Sequence, residues 1–498
     1  MERTAGILMP IFSLPSRHGI GSLGREAYAF VDFLQRAGQC WWQILPIGPA
    51  GAGNSPYASF STHAGNPYLI DLDLLVEDGL LTPEEAATAP NGNPESVDYP
   101  AVQNAYDHLL HTAFRRGWER DMASVAAFAQ GKPWLEDFVM FQAAKTYFNG
   151  AAWWEWPDEG LRRHDGAALE HWRRELKDIR DYHTYVQFLF ARQWESLKRY
   201  ANERGVKILG DLPIYVSRDS AGVWGEREQF LLDGEGRPSA VAGVPPDYFS
   251  ADGQLWGNPL YNWAKMKADG YGWWIRRVES AGQLFDAIRI DHFRAMASYW
   301  SVPAGAATAK EGRWEAGPGM SLVGVLTSWF PHLHFIAEDL GILTPDVTQL
   351  LQDSGLPGMK VLEFAFSGPD NAYLPHNCKP HCVLYTGTHD NAPAALWSRT
   401  ASESELAYAQ RYLGVSAPEE LPAALLRAGH TSVADTFIAQ LQDYLEVEGR
   451  INVPGTAEGN WSWRLAPGTL TDALADRIHT LTHDAGRCPP RQEPPENA

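Results

Sequence analysis

Short apolar runs alternate with amphipathic stretches along the chain. Ala5–Phe12 is almost wholly apolar and is closed by Ser13-Leu14-Pro15. From Arg25 to Arg36, residues Ala27, Phe30, Val31 and Leu34 recur at the three-to-four spacing of one helical face. A second apolar run, Cys40–Pro46, follows. Strand, helix, strand is a βαβ unit and predicts a parallel sheet. Further runs of this kind are Val206–Asp211, Phe285–Asp291, His334–Glu338, Lys360–Phe366 and Cys382–Gly387, and Ile451–Val453 is the weak eighth candidate. Helical patterns lie between most of them. Eight strands alternating with helices predict an α/β fold, a (β/α)₈ TIM barrel, rather than an open doubly wound sheet. The open sheet stays an alternative at this point, because strand order is not written in the sequence.

Two gaps are too long for simple connections. Residues 1–72 hold the first two strands, and residues 73–180 read as a mainly helical insertion. Residues 181–214 hold the third strand and the helix leading into it. In that helix Val186, Phe190, Trp194, Leu197 and Ala201 form one apolar face, with Glu195, Lys198 and Arg199 opposite. Residues 215–274, rich in Gly, Pro and aromatics, read as a loop-rich insertion, and loops after barrel strands carry function. Residues 275–485 are expected to complete the barrel, and the stretch after residue 467 is expected to leave no room for a C-terminal β domain. The Pro-rich stretch 486–498 is expected to be a disordered tail.

Composition narrows the partners. The net charge is −20 with no basic cluster, which disfavours nucleic acid and anionic membrane. No run approaches the ~18 apolar residues of a membrane span, and the N-terminal stretch lacks the pattern of a signal peptide. Four cysteines in 498 residues are too few for a disulfide framework and point to a reducing, cytoplasmic setting. The 20 Trp, 19 Tyr and 20 Phe residues fill a large core first, but an aromatic-lined cleft for a neutral sugar also suits them.

Two motifs are decoys. Gly19-Ile-Gly21-Ser-Leu-Gly24 has the dinucleotide spacing, yet the second strand ends at Leu45-Pro46, where a ribose-binding acid is needed. It reads as a tight turn. His376-Asn-Cys378-Lys-Pro-His381-Cys382 gathers four possible metal ligands, but no second ligand pair accompanies it, so no metal is expected. His332 and His334 read as structural.

Candidate chemistry lies at the strand ends. Asp211, Asp291, Glu338 and Asp390 all follow apolar strands, and in a barrel those ends meet at one mouth. Alternation puts Phe285, Ala287, Arg289 and Asp291 on one face, so the Arg289 guanidinium is expected to lie beside Asp291 and hold it ionised. Spacing does not choose between Glu338 and Asp339. Several carboxylates beside an aromatic cleft, with no cofactor, suit glycoside hydrolysis or transfer.

Longer motifs then identify a family. They include Ser55-Pro-Tyr57-Ala-Ser-Phe-Ser61, Gly210-Asp-Leu-Pro-Ile-Tyr-Val216, Gly243-Val-Pro-Pro-Asp-Tyr-Phe249 and Trp256-Gly-Asn-Pro-Leu-Tyr261. They continue with Arg289-Ile-Asp-His-Phe-Arg294, Ala337-Glu-Asp-Leu-Gly341, Gly387-Thr-His-Asp-Asn391 and Pro454-Gly-Thr-Ala-Glu-Gly-Asn-Trp461. From Gly6 to about Pro467 the chain resembles the amylomaltases, the 4-α-glucanotransferases of glycoside hydrolase family 77 in the α-amylase clan. The resemblance implies transfer between α-1,4-glucans and maltooligosaccharides. It implies Asp291 as nucleophile, Glu338 as general acid/base and Asp390 as the residue that binds and distorts the sugar. Asp211, Arg289, His292 and His389 are similar to the family's supporting residues, and Tyr57 to its stacking residue. Residues Ala242 to Trp256 resemble a loop over the cleft, with Tyr248, Phe249 and Trp256 facing substrate; such a cover excludes water and favours a sugar acceptor.

The chain departs from the family at two places. Ala52 stands between two glycines where the family often has a Tyr associated with a second glucan site, and Ala392-Pro393 replaces the usual Asp-Thr after Asp390-Asn391. The competing functions are an α-amylase-type hydrolase and a non-catalytic glucan-binding protein. Amylases typically carry a His shortly after the third-strand aspartate, absent from Leu212-Pro-Ile-Tyr-Val-Ser217, and the three acids are all retained.

Overall fold

The computed structural model describes residues 3–246, 250–341, 343–456 and 458–489. Its strands, in chain order, are β1 (Thr4–Leu8), β2 (Trp41–Gln43), β3 (Lys207–Leu212), β4 (Ala240–Val244), β5 (Gln254–Pro259) and β6 (Ala287–Ile290). They continue with β7 (Ser298–Pro303), β8 (Arg313–Ala316), β9 (His334–Ala337), β10 (Gly358–Val361), β11 (Cys382–Tyr385) and β12 (Thr436–Gln440). Eight of them close a parallel barrel in the order β1-β2-β3-β6-β9-β10-β11-β12. The barrel interior is an apolar plug containing Leu8, Leu209, Ala287, Ile336, Met359, Val361, Val383, Tyr385 and Ile438. Residues of opposite parity, such as Ile288 and Ile290, pack outward against the helices.

The eighth barrel strand is not Ile451–Val453. It is Thr436–Gln440, buried throughout and paired with β1 from Thr4↔Thr436 to Leu8↔Gln440. Polar residues at both ends of Thr-Phe-Ile-Ala-Gln hide it from an apolar-run criterion. Ile451 is apolar for another reason: it packs on the barrel plug beside Trp461.

The connection from β2 to β3 is helical. Its longest members are Tyr99–Ala129, Pro133–Tyr147 and Lys177–Glu203. The last, 27 residues, buries Val186, Phe190, Trp194, Leu197 and Ala201, the face expected from spacing. It runs through residue 180 without a break, so the helical region and the approach to β3 share one helix.

Residues 215–274 are not loops alone. They supply β4 and β5, which join β7 and β8 in an antiparallel sheet of order β5-β4-β7-β8. The partner strands lie beyond β6 in sequence, so nothing local announces the pairing. The expected disorder does not begin at residue 486. Arg487 is fully buried and donates to the carbonyl oxygens of Thr4, His430, Ser432, Ala434 and Asp435, closing the lower end of β1 and β12. Residues 490–498 lie outside the described residues. Among the described residues no helix is long and apolar enough to cross a membrane.

Candidate active site

The upper ends of β3, β6, β9 and β11 deliver charged side chains to one hollow. Asp211 on β3 and Arg289 on β6 are register partners. One guanidinium nitrogen of Arg289 donates to both oxygens of Asp211, at 2.7 and 2.6 Å, and to Asp291 Oδ1 at 3.0 Å. Its other nitrogen lies 3.7 Å from Glu338 Oε2. A single cation therefore ties three carboxylates from three strands. Paired ion–ion contacts of this kind are what make buried charges tolerable.

His292 turns the chain after Asp291. Its φ of 48° lies in the left-handed region, which a non-glycine residue adopts only when its surroundings hold it there. The turn points its backbone N–H at Glu338 Oε2, 2.6 Å away, while the Leu340 N–H donates to Glu338 Oε1 at 3.1 Å. Asp339 points elsewhere: it accepts from the Met359 N–H at 2.6 Å and pairs with Lys360, tying the end of β9 to β10. The two neighbours that spacing left undecided thus have different employments, and Glu338 is the one in the hollow.

Electrostatics corrects one expectation. Burial in the cleft raises the pKa of Asp291; Arg289 pulls it back down, but with the neighbouring Asp211 and Asp390 adding to the rise, Asp291 is pushed up to about 7. Glu338 is pushed up to about 8, again chiefly by burial, with Asp291 adding to it. One positive charge shared among three carboxylates does not neutralise them all, and the burial that raises both Asp291 and Glu338 favours a proton shared by the pair.

Asp390 reaches the hollow from the loop after β11. Its Oδ1 accepts from Asn452 Nδ2 at 2.6 Å and lies 3.3 Å from His389 Nε2. Burial lowers the pKa of His389, against the pull of Asp390, and so disfavours its charged form. Tyr57 donates its hydroxyl to Asp211 Oδ2 at 2.6 Å, and its ring stacks on His389 with centroids 5.2 Å apart. Trp461 lies tilted beside both rings. Trp256, on β5, is 38% exposed and meets His292 edge-on at 4.9 Å. Tyr248 and Phe249 lie outside the described residues. All the other expected site residues converge.

Sequence reasoning missed Asn452 and Arg450. Arg450 donates to the Asp390 carbonyl oxygen at 2.6 Å. Both lie in or next to the segment read as an eighth strand; its polar members were the signal that it serves the site instead.

The decoys resolve physically. A Cβ on Gly24 would meet an Asp71 oxygen at 2.0 Å, and Asp71 also accepts from Ser22 Oγ. An acid therefore fills the place where a phosphate would have to sit. His376 bonds to the Tyr412 hydroxyl and His381 to the Gly355 carbonyl, so the two imidazoles diverge. Among the described residues no cluster of three potential ligands is arranged to hold a metal. Ala52 lies exposed on a short turn.

Comparison with known proteins decides the family. Residues 9–471 match the glycoside hydrolase family 77 model, described as 4-alpha-glucanotransferase. The chain belongs to this family. It is a glycosyl-transferring enzyme of the 4-alpha-glucanotransferase class. Two similar relatives are the 4-alpha-glucanotransferases of Streptococcus pneumoniae and Thermus thermophilus. The first is 44% identical over 488 residues, 97% of each chain; the second is 45% identical over 502 residues, 98% of this chain and 99% of the relative. A solved amylomaltase from Streptococcus agalactiae, in complex with acarbose, superposes with a TM-score of 0.95 at 39% identity, covering 98% of this chain and 100% of that one. The amylomaltase of Corynebacterium glutamicum, 19% identical, shares the fold with a TM-score of 0.77, covering 97% of this chain and 75% of that one.

Proposed function

We propose that the protein moves a segment of an α-1,4-glucan onto the 4-hydroxyl of another glucan or of glucose, by retaining double displacement. Asp291, as carboxylate, attacks the anomeric carbon. The glycosidic C–O bond breaks as Glu338 gives its proton to the departing 4-oxygen, leaving a glycosyl ester on Asp291. Glu338, now ionised, takes the proton of the incoming 4-hydroxyl, whose oxygen displaces Asp291 and restores both groups. Asp390, held by Asn452 and His389, binds the sugar at the cleavage point and favours its distorted ring. Tyr57 offers an apolar surface to the sugar face, with Trp461 packed behind it.

The observation that carries this reading is Arg289, whose guanidinium reaches Asp211, Asp291 and Glu338 together. That shared cation supports giving Asp291 and Glu338 paired roles at one centre. Each step moves a proton and a glycosyl group without changing an oxidation state. We place the enzyme in the cytoplasm, on the scarcity of cysteine in the sequence.

Incubation with maltotriose is the test. A ladder of longer maltodextrins together with glucose is expected. Shortening alone makes the protein a hydrolase, and an unchanged substrate with retained binding makes it a glucan-binding protein.

A further inference from the structure

The loop that carries His389 and Asp390 begins at the end of β11 and runs into the helix Ala394–Thr400. A helix start leaves backbone N–H groups without intrahelical partners, and a side chain at its N-cap normally takes one. Here the N-cap is Pro393, which makes no side-chain cap hydrogen bond, and Ala392 before it has no polar side chain either. The N–H of Ala394 instead donates to Asp443 Oδ1 at 2.7 Å. Asp443 belongs to the short helix Leu441–Leu445 that follows β12. Its other oxygen, Oδ2, accepts from the hydroxyl of Thr386, the residue that opens the same loop. One carboxylate therefore grips both ends of the loop, from below, and it is completely buried.

The loop is pressed onto this support. A Cβ at Gly387 would strike Glu363 Oε1 at 2.7 Å, so the backbone there lies directly on the side chain that follows β10. Nothing in the proposed chemistry uses Asp443: it touches no reacting atom, and a buried carboxylate is costly unless its hydrogen bonds repay it. Two bonds that bracket one loop give it a purpose.

We infer that Asp443 is a positioning residue for Asp390, fixing the loop on which Asp390 approaches the sugar. The inference rests on the role proposed above for Asp390. In this chain, with Ala392-Pro393 at the helix start, the clamp from β12 takes the place of a local cap. A loop end released by even 1 Å is enough to cost about 10²-fold in rate.

The test measures maltotriose disproportionation, with maltosyl fluoride as donor where rates are low. Asp443→Ala is expected to lower kcat about 10²-fold while KM moves only a few-fold. Asp443→Asn keeps an acceptor for the Ala394 N–H and is expected to recover about tenfold of that loss. In an Asp390→Ala background, Asp443→Ala is expected to cost less than about twofold more, because the two act as one unit. Equal fold losses in both backgrounds, or a folded Asp443→Ala enzyme with the wild-type kcat, overturn the inference. Should Asp443→Ala not fold, Thr386→Val, which removes one of the two bonds, takes its place. It is expected to lose roughly 3–10-fold in kcat, and only when Asp390 is present; a wild-type kcat overturns the inference. An Asp390→Ala enzyme with the wild-type rate sinks the role of Asp390 itself, whereas an inactive Asp390→Ala beside an active Asp443→Ala sinks only the clamp.

Discussion

Asp291 and Asp390 face the same hollow but are held there by different means. Asp291 directly follows β6, which is laddered to β3 on one side and β9 on the other. Its side chain is 25% exposed and is tied to Arg289, itself locked onto Asp211. Asp390 is 44% exposed and stands on a loop, kept in place by Thr388 of the same loop and by Arg450 and Asn452 of a second segment. Backbone ladders make the first position a property of the barrel, insensitive to any single side chain. The second position is assembled from side-chain hydrogen bonds, each replaceable by water and each worth only a little on its own. The barrel wall is therefore the place to expect large, all-or-none effects, and the loop side the place for graded ones.

The largest effect tests the wall directly. Asp291→Asn is expected to lower kcat on the order of 10⁴–10⁶-fold with the fold intact, measured by glucose release from maltotriose. A residual rate within tenfold of wild type would put the nucleophile elsewhere. Next comes Glu338→Gln, expected to cost about 10²–10⁴-fold with maltotriose. Because a fluoride leaving group needs little protonation, the same variant should lose far less with maltosyl fluoride; an equal loss on both donors contradicts the acid role.

The pH profile separates the same two groups. Below about 7 both carboxyls hold protons and the nucleophile is lost, while above about 8 both are ionised and the acid is lost. The kcat/KM profile is therefore bell-shaped with its maximum between those values, and Glu338→Gln should erase the alkaline limb. A flat profile from pH 5 to 9 would show that this pair does not govern the rate.

On the loop side Asn452→Ala removes a donor to Asp390 Oδ1 and is expected to cost roughly tenfold in kcat. A loss as large as that of Asp291→Asn would erase the distinction between wall and loop. The smallest effect is on stability. The folded-state pKa of Asp291 is raised, so the unfolded chain releases this proton first. The fold therefore loses stability as pH climbs from about 4, the ordinary aspartate value, to about 7, and stays level above that. Asp291→Asn removes this liability and should raise Tm at pH 8 by roughly 2–4 °C more than at pH 5. Calorimetry at the two pH values reads the difference, and an equal shift at both contradicts the sign.

Much of the wall was legible before any coordinates. Arg289 and Asp291 share a face because strand parity fixes it, and seven of the barrel strands announce themselves as apolar runs. The loop side was not legible in this way. β12, flanked by Thr436 and Gln440, was passed over in favour of Ile451–Val453, and that segment instead brings Asn452 to Asp390. The pKa of Asp291 departs from the sequence expectation for a related reason: adjacency reveals the Arg289 partner two residues away, but neither the burial that raises the pKa nor Asp211 and Asp390 competing for the same charge.

The sequence by itself determined the alternation of strand and helix, the parity of each strand and the motifs that mark the family, because all of these are set by residues within a few positions of one another. Only the tertiary structure decided which strand closes the barrel, that 240–259 pairs with 298–316, and that Asp443 and Asn452 converge on the loop of Asp390. Those contacts join residues far apart in the chain, and their energy comes from burial and hydrogen bonds that exist only once the barrel has closed.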